Sequence, residues 1–409
     1  MCRSDLASKA SFTVSAALED AAPLGAVQTI VEPESVEEIA AIVRKCEAAK
    51  ITLTPIGASR TLAQIRREPA QIGISLRRMA SIVAYEPDDM TVVAQAGLTV
   101  GDLNATLATR GQRLPVDPRD PGATTLGSLI AAAHAGPLRL SEGTVRDLLI
   151  GIHFVGHGGR IVRAGGRVVK NVAGYDLMKV LTGSFGTLGI VTEATFKVRP
   201  IPENYTLAIA AFPDAHAAFA AASALHDTVP LIHLEVASRA ISAALGASVR
   251  FIVLAGFAGI PSELEYQSHR IANVLPGLEM LDGERALELY SSLRDIGFGD
   301  EAITARMAVL PNELARCAHE SSAEFVAHIG SGIAELSAHS PDPGVVTRWR
   351  AIAHSARGHL RVVSAPASIR SQIELFDRPN PGAFKLMQRL KSTFDPAGVF
   401  NPGCFVGAL

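Results

Sequence analysis

The stretch from Gly122 to Pro200 reads GATTLGSLIAAAHAGPLRLSEGTVRDLLIGIHFVGHGGRIVRAGGRVVKNVAGYDLMKVLTGSFGTLGIVTEATFKVRP. Glycines and small hydroxyl residues fall in three clusters: Gly122 to Ser128, Gly165 with Gly166, and Gly183 to Gly189. Glycine lets a backbone approach a ligand closely and adopts positive φ without penalty. Helix N-termini and clustered backbone N–H groups attract phosphate oxygens. Any one cluster reads equally well as an ordinary turn. Three of them, ordered around KNVAGYDLMK, point to a long, extended, phosphate-bearing cofactor.

Working outward from this stretch, Ser35-Val36-Glu37-Glu38 is a capping box. Val36, Ile39, Val43 and Cys46 follow at helical spacing, so an amphipathic helix begins there and Cys46 lies on its apolar face. A buried strand is expected over Ile51 to Pro55, then a small-residue loop, Gly57-Ala58-Ser59-Arg60-Thr61. Strands are expected at Ile72 to Leu76 and Thr91 to Ala94. Thr99 and Asp102 open a second helix that stops at Gly111. Thr124 to Ala135 reads as a helix whose start, GATTLGS, offers free N–H groups and hydroxyls. His157-Gly158-Gly159 joins a hairpin, and Gly189 to Val198 reads as a strand. Pro200-Ile201-Pro202 marks a boundary. Beyond it, apolar strands (Leu207 to Phe212, Phe251 to Phe257) mix with Ala-rich helical patterns. Phe384 to Phe394 reads as an amphipathic helix, followed by FDPAGVFNPGCF.

Composition narrows the function. A length of 409 residues suits two or three domains, and 48% hydrophobic residues imply a well-buried core. A formal charge of −2 and 5% aromatic residues offer neither an electrostatic footprint nor a stacking platform for nucleic acid. No apolar run spans a bilayer, and the first twenty residues lack the compact apolar core of a secretory signal. The four cysteines, Cys2, Cys46, Cys317 and Cys404, form no C-x-x-C, so neither an iron–sulfur cluster nor a zinc knuckle is expected. A reducing, cytoplasmic location is expected. The G-x-G-x-x-G, Walker A, G-x-S-x-G and H-E-x-x-H patterns are all absent.

The segments IVEPESVEEIAAIV, YEPDDMTVVAQAGLTVGDLNATL, GATTLGSLIAAAHAGPLRLSEGTVRDLLIG, GGRVVKNVAGYDLMKVLTGSFGTLGIVTEATFKVRP and FDPAGVFNPGCF resemble the vanillyl-alcohol oxidase / p-cresol methylhydroxylase (PCMH-type) group of FAD enzymes. Within it, GGRVVKNVAGYD followed by GTLG is similar to the E subunits of bacterial glycolate oxidases. The resemblance implies an α+β protein: a PCMH-type FAD-binding domain of two α/β subdomains, and a smaller α+β cap domain. The corresponding boundaries are an N-terminal extension over 1–24, the FAD-binding domain over 25–200, the cap over 201–378, and a C-terminal segment, 379–409, that returns to the FAD domain.

Carried over residue by residue, the resemblance puts a first pyrophosphate loop at Gly57, Ala58, Ser59, Arg60 and Thr61. A second lies at Gly122, Ala123, Thr124, Thr125, Gly127 and Ser128. Lys170, Tyr175 and Asp176 sit in the KNVAGYD motif. Gly183, Gly186, Thr187, Gly189 and Ile190 lie along the cofactor, and His134 is a further candidate. Lys170 would stabilise a reduced flavin anion; its alternative is a surface pair with Asp176. A branched side chain at Gly122 or Gly186 is expected to abolish flavin binding. FAD is expected to be non-covalent, because the first loop has no histidine and no cysteine lies between Cys46 and Cys317.

The sequence departs from the pattern in two places. The first loop, IGASRT, is poorer in glycine than in relatives and carries Arg60. In the cap, relatives that oxidise 2-hydroxy acids carry H-x-G-[DN]-G-N-x-H, and the nearest text is His328-Ile329-Gly330-Ser331-Gly332-Ile333. It lacks the acid–amide pair and the second histidine, so no metal is expected, and His328 is the single catalytic candidate. The resemblance therefore implies a flavoprotein subunit of a glycolate (2-hydroxy acid) oxidase complex. Its partners would be a substrate-binding flavoprotein subunit and an iron–sulfur subunit, which can hold it at the inner face of the membrane. A stand-alone FAD-dependent alcohol or 2-hydroxy-acid oxidoreductase, and a structural subunit that has lost flavin, remain alternatives.

Overall fold

A computed structural model of the chain describes residues 27–57, 70–167, 175–247, 249–275, 277–297, 302–339 and 342–409. The chain divides into two compact units. One holds residues up to His134, Thr144–Pro200 and Arg378–Leu409; the other holds Ala135–Gly143 and Ile201–Asp377.

Among its described residues the first unit contains three sheets, the smallest only the antiparallel pair of Gln112–Arg113 with Arg199–Pro200. Strands β1 (Val27–Val31), β2 (Leu53–Ile56) and β3 (Ala70–Ser75) form a parallel sheet in the order β1-β3-β2. The helix Val36–Ala49 connects β1 to β2 and buries Ile39, Ala40, Ile42, Val43 and Cys46. Ser35 caps it by accepting the Glu38 N–H at 3.2 Å, while the Glu38 carboxylate accepts from Glu34 rather than from Ser35. Burial pushes the Cys46 thiol up to about 12, as befits a core residue.

The second sheet of this unit is antiparallel. It comprises β4 (Ile82–Glu86), β5 (Thr91–Gln95), β6 (Leu149–Gly156), β7 (Arg160–Gly165) and β8 (Ile190–Lys197) in the order β4-β5-β8-β6-β7. The His157 to Gly159 turn joins β6 to β7 as the sequence predicts. Thr99 caps the helix Val100–Ala108 by accepting from Asp102 N. The predicted helix at Thr124 to Ala135 is shorter, Leu126–Ala132, because Thr125 is its N-cap and Ala133 turns left-handed at its end.

The C-terminal helix Pro381–Phe394 and the tail after it pack on the first unit. Leu53 N–H donates to Val399 O and Asn401 N–H to Leu53 O, each at 2.7 Å, so the tail extends the ladder of β2. Lys391 Nζ donates to the carbonyls of Thr187 and Phe400, each at 2.8 Å, and pairs with Asp395 at 2.6 Å.

The second unit is built on one antiparallel sheet of eight strands: β9 (Asn204–Phe212), β10 (His233–Ala237), β11 (Phe251–Gly259), β12 (Glu279–Asp282), β13 (Ile303–Ala308), β14 (Glu324–His328), β15 (Ile333–Ala338) and β16 (His359–Ser364). Their order is β12-β9-β11-β10-β14-β15-β13-β16. Ala237, Ile252, Leu254 and Val326 on one face pack with Ala286 and Leu293 of the helix Gly283–Arg294. Among the described residues, no helix is long and apolar enough to cross a membrane.

Candidate functional site

A cleft with an empty volume of about 720 Å³, open at its mouth, lies within the first unit. Its walls come from four pieces of chain. The end of β2 supplies Pro55, Ile56 and Gly57; the helix Leu126–Ala132 and its cap supply Thr125, Gly127, Ser128, Ala131 and Ala132. The 184–191 segment supplies Ser184, Phe185, Gly186, Gly189 and Val191, and the tail supplies Asn401. Leu76 and Ala96 complete the lining.

The glycines let these pieces approach each other. A Cβ on Gly57 would lie 2.7 Å from both Ser128 Cβ and Thr125 Oγ1, and one on Gly127 would lie 3.2 Å from Ala96 O. At Gly186, where φ is +69°, a Cβ would meet Pro55 Cγ at 2.7 Å.

The turn at 184–187 is strained. Phe185 has φ +53° and Gly186 φ +69°, and Ser184 O accepts from Thr187 N at 3.1 Å. Two successive positive φ values closed by that bond are the pattern of a type I′ turn. A phenylalanine held there costs on the order of 1–3 kcal/mol. Its restraints are the Phe185 N–H on Ala131 O, the Asn401 amide donating to Phe185 O at 2.6 Å, and the Phe405 ring at 5.8 Å. Asn401 itself is 1% exposed and also accepts from the Thr54 hydroxyl.

The structure brings Gly57, Thr125, Gly127, Ser128, Gly186 and Gly189 together around the cleft. It does not put the other described candidates on its wall. Gly122 and Ala123 are exposed, and a Cβ on Gly122 meets nothing nearer than Asp120 Oδ1 at 3.9 Å. Thr124 is buried beside them, its hydroxyl on Arg119 O. The expectation that GATTLGS offers free N–H groups is corrected: Ala123 and Thr124 donate to Asp120 O, Leu126 to Leu98 O, Gly127 to Ala96 O, and Ser128 to Thr125 Oγ1. These bonds tie the loop to the protein, and Thr125 and Ser128 are its hydroxyl residues that line the cleft.

Gly165 and Gly166 lie at the open end of the β6–β7 hairpin, opposite Gly151, and the Gly166 N–H donates to Ile150 O. His134 is half-buried at the end of the helix Leu126–Ala132. Gly183 donates to Ile130 O, Thr187 O accepts from Lys391, and Ile190 is a buried strand residue. Tyr175 is 91% exposed, and Asp176 caps the helix Leu177–Leu181 and pairs with Lys179. Bonding to Lys179 holds the Asp176 carboxyl below its usual range. Ala58, Ser59, Arg60, Thr61 and Lys170 lie outside the described residues. Sequence reasoning missed Ser184, Phe185 and Asn401; the FNPG of the tail was the available signal for the last.

In the second unit, His328 ends β14 at 7% exposure. Its Nδ1 lies 3.2 Å from Glu235 Oε1, and the other Glu235 oxygen lies 2.6 Å from His233 Nδ1. His233 Nε2 lies 2.7 Å from the Tyr205 hydroxyl. His233 and Glu235 are 0% and 1% exposed. Gly256, directly opposite His233, makes room: a Cβ there would lie 2.0 Å from His233 Nε2. Burial pushes the Glu235 carboxyl up, but the two imidazoles outweigh it and hold the group below its usual range. Burial, then Glu235, pushes the Tyr205 phenol up, so it stays neutral. A carboxylate only accepts, so both Nδ1 atoms carry the proton and the basic nitrogen of His328 is Nε2. Sequence reasoning found His328 and missed its partners. Among the described residues, no group of three or more His, Cys, Asp or Glu side chains is arranged to hold a metal.

Parts of the chain match known families. Residues 27–165 match the FAD binding domain family, and residues 371–404 match the C-terminal domain of FAD linked oxidases. The chain is 39% identical to glycolate oxidase subunit GlcE of Escherichia coli over 32% of its own length and 37% of that protein. It is 33% identical to the mitochondrial D-lactate dehydrogenase [cytochrome] of Arabidopsis thaliana over 45% of its length and 32% of that protein. The matched part thus spans about a third of each relative. The fold as a whole is that of p-cresol methylhydroxylase, with a TM-score of 0.68 at 15% identity, over 92% of this chain and 88% of that one.

Proposed function

We propose, on the premise that this chain is an FAD-binding protein of the p-cresol methylhydroxylase fold, that it is the flavoprotein subunit of a glycolate (2-hydroxy acid) oxidase or dehydrogenase complex. In that complex it passes electrons from substrate toward an iron–sulfur partner. The observation that carries the reading is the cleft between Gly57, Thr125–Ser128 and the 184–187 turn, narrowed by glycines and lined by hydroxyls. The residues present fit an extended dinucleotide: Thr125, Ser128 and Ser184 offer hydroxyls, and Pro55, Ile56, Phe185 and Val191 offer apolar walls. When bound, FAD supplies the hydride acceptor that no side chain can provide. The chain's own part is to orient that group and exclude water around it.

The cleft's described lining contains no histidine, cysteine or tyrosine, which supports non-covalent attachment. Acid precipitation of the flavin-loaded protein is expected to release all flavin to the supernatant; flavin that stays with the pellet sinks this claim. The match to GlcE, named as a subunit, supports a multi-subunit setting with a substrate-binding flavoprotein and an iron–sulfur chain, in the cytoplasm or at the inner face of the membrane.

A second reading, a stand-alone 2-hydroxy-acid oxidoreductase, draws support from the Glu235–His328 pair, which prepares a base. Stopped-flow flavin bleaching by glycolate separates the two. The subunit reading expects slow or no bleaching by the isolated, flavin-loaded chain, and steady turnover once the two partner chains are added. Rapid bleaching by the isolated chain that disappears in His328→Ala establishes the second reading instead.

A further inference from the structure

The helix Pro381–Phe394 of the first unit has two unlike faces. Phe384, Met387, Leu390, Lys391 and Phe394, at helical spacing, are half-buried on the unit. The Phe384 ring sits where a Cβ on Gly407 would meet it at 2.6 Å, and the Phe394 ring lies 6.4 Å from that of Phe154. Lys391 holds the 184–187 turn through Thr187 O. On the opposite face Lys385, Leu386, Arg389, Ser392 and Thr393 are all exposed, Leu386 at 59%. The charges of that face have no counterweight in the helix. Between Asp377 and Asp395 the chain carries four cations, Arg378, Lys385, Arg389 and Lys391, and no carboxylate, although its formal charge as a whole is −2. Asp395 itself is taken up by Lys391. Lys385 and Arg389 stand four residues apart, where like charges destabilise a helix. Other exposed helices mix signs: Arg316 pairs with Glu313 and Glu320, and Lys179 with Asp176.

We propose that this outer face docks an acidic patch of a partner protein, with Leu386 as the apolar anchor and Lys385 and Arg389 on either side of it. Carboxylates of the partner relieve the repulsion between the two cations and steer the encounter. A partner packed over Leu386 removes its side chain from water. A lipid surface fits less well. A helix that lies in a bilayer interface sinks a broad apolar face into it, and here the apolar face is already turned onto the unit. The position of the helix gives the docking a use. Its inner face braces the wall of the cleft, so a docked partner stands roughly 10–12 Å, one helix diameter, from the 184–187 turn. The role of that partner as an electron acceptor rests on the function proposed above; the docking itself does not.

Two haem proteins of opposite surface charge serve as probes, acidic cytochrome b5 and basic cytochrome c. Each is titrated calorimetrically into the full, flavin-loaded chain at low ionic strength, where exposed charges are least screened. Cytochrome b5 is expected to bind, with an affinity that falls as salt rises, and cytochrome c is not. Binding of cytochrome b5 is expected to weaken at least about fivefold in Arg389→Glu and about tenfold in Leu386→Ser. Arg270→Glu makes the same charge change on the exposed side of the helix Pro261–Ala272 and is expected to bind as wild type does. Circular dichroism and flavin content identify variants that fail to fold; if Leu386→Ser does so, Arg389→Glu decides. No binding of cytochrome b5 by wild type, equal or tighter binding of cytochrome c, or the same weakening in Arg270→Glu overturns the docking face. Co-sedimentation with phosphatidylglycerol–phosphatidylcholine vesicles is measured alongside. Vesicle binding that is lost in Arg389→Glu, without binding of cytochrome b5, assigns the face to a membrane and also overturns the proposal. Docking involves no turnover, so the two ideas fail separately. Cytochrome b5 held through Arg389 by a chain whose flavin no 2-hydroxy acid reduces, with or without partner chains, keeps the docking face and removes the proposed activity. Steady turnover with partner chains that is equal in wild type, Arg389→Glu and Leu386→Ser does the reverse.

Discussion

Lys391→Met is expected to be among the most destabilising single substitutions in the first unit. The Lys391 ammonium satisfies the carbonyls of Thr187 and Phe400 and neutralises Asp395, whose side chain is wholly buried. Removing one partner of a buried pair typically costs about 3–5 kcal/mol. Asp395 keeps its bonds from the N–H groups of Val399 and Phe400, which sets the expectation near the lower end. The melting temperature should fall by on the order of 10 °C, and flavin should be lost in parallel because the 184–187 turn is released. Thermal denaturation followed by circular dichroism checks the first point, and the flavin absorbance of the purified variant checks the second. A melting temperature within about 2 °C of wild type contradicts the assigned role.

The second large effect is expected for Gly186→Val. Gly186 sits at φ +69°, and any Cβ there meets Pro55 Cγ at 2.7 Å and Cδ at 3.2 Å. The backbone strain is about 1–3 kcal/mol, and overpacking against a rigid proline adds about 1–3 kcal/mol. Both act on the wall of the cleft, so the purified variant should carry little or no flavin and melt several degrees lower. Gly122→Val is the control. The sequence pattern alone predicts the same loss there, but the site is exposed and open, so flavin content close to wild type is expected. If Gly122→Val loses flavin while Gly186→Val retains it, the cleft is not the cofactor site.

These two glycines show what the sequence could and could not reveal. Local rules were enough for two helix starts: Ser35 and Thr99 each cap the helix that follows, and each lies within three residues of the N–H it accepts. The hairpin at His157 to Gly159 was legible for the same reason. Glycine clustering did not separate the glycines on the cleft wall, Gly57, Gly127, Gly186 and Gly189, from those off it, such as Gly122. A glycine needed for close packing of two loops, such as Gly57, and one in an exposed turn, such as Gly122, read alike in one dimension.

The rest of the site depends on partners far apart in the chain. Asn401 meets Thr54 across 347 residues, and His328 meets Glu235 across 93. No spacing rule reaches that far.

The ladder from Leu53 to the tail also sets an order of events during synthesis. Chains fold from the N-terminus as they emerge, yet one wall of the cleft is Asn401, 347 residues after Thr54 of β2, and the clamp on the 184–187 turn is Lys391. A nascent chain that has already made β2 and the strained turn has neither restraint until residues 391 to 401 have been translated. Cofactor capture therefore waits for these residues, and a ribosome stalled before Pro381 should display a chain unable to retain the cofactor.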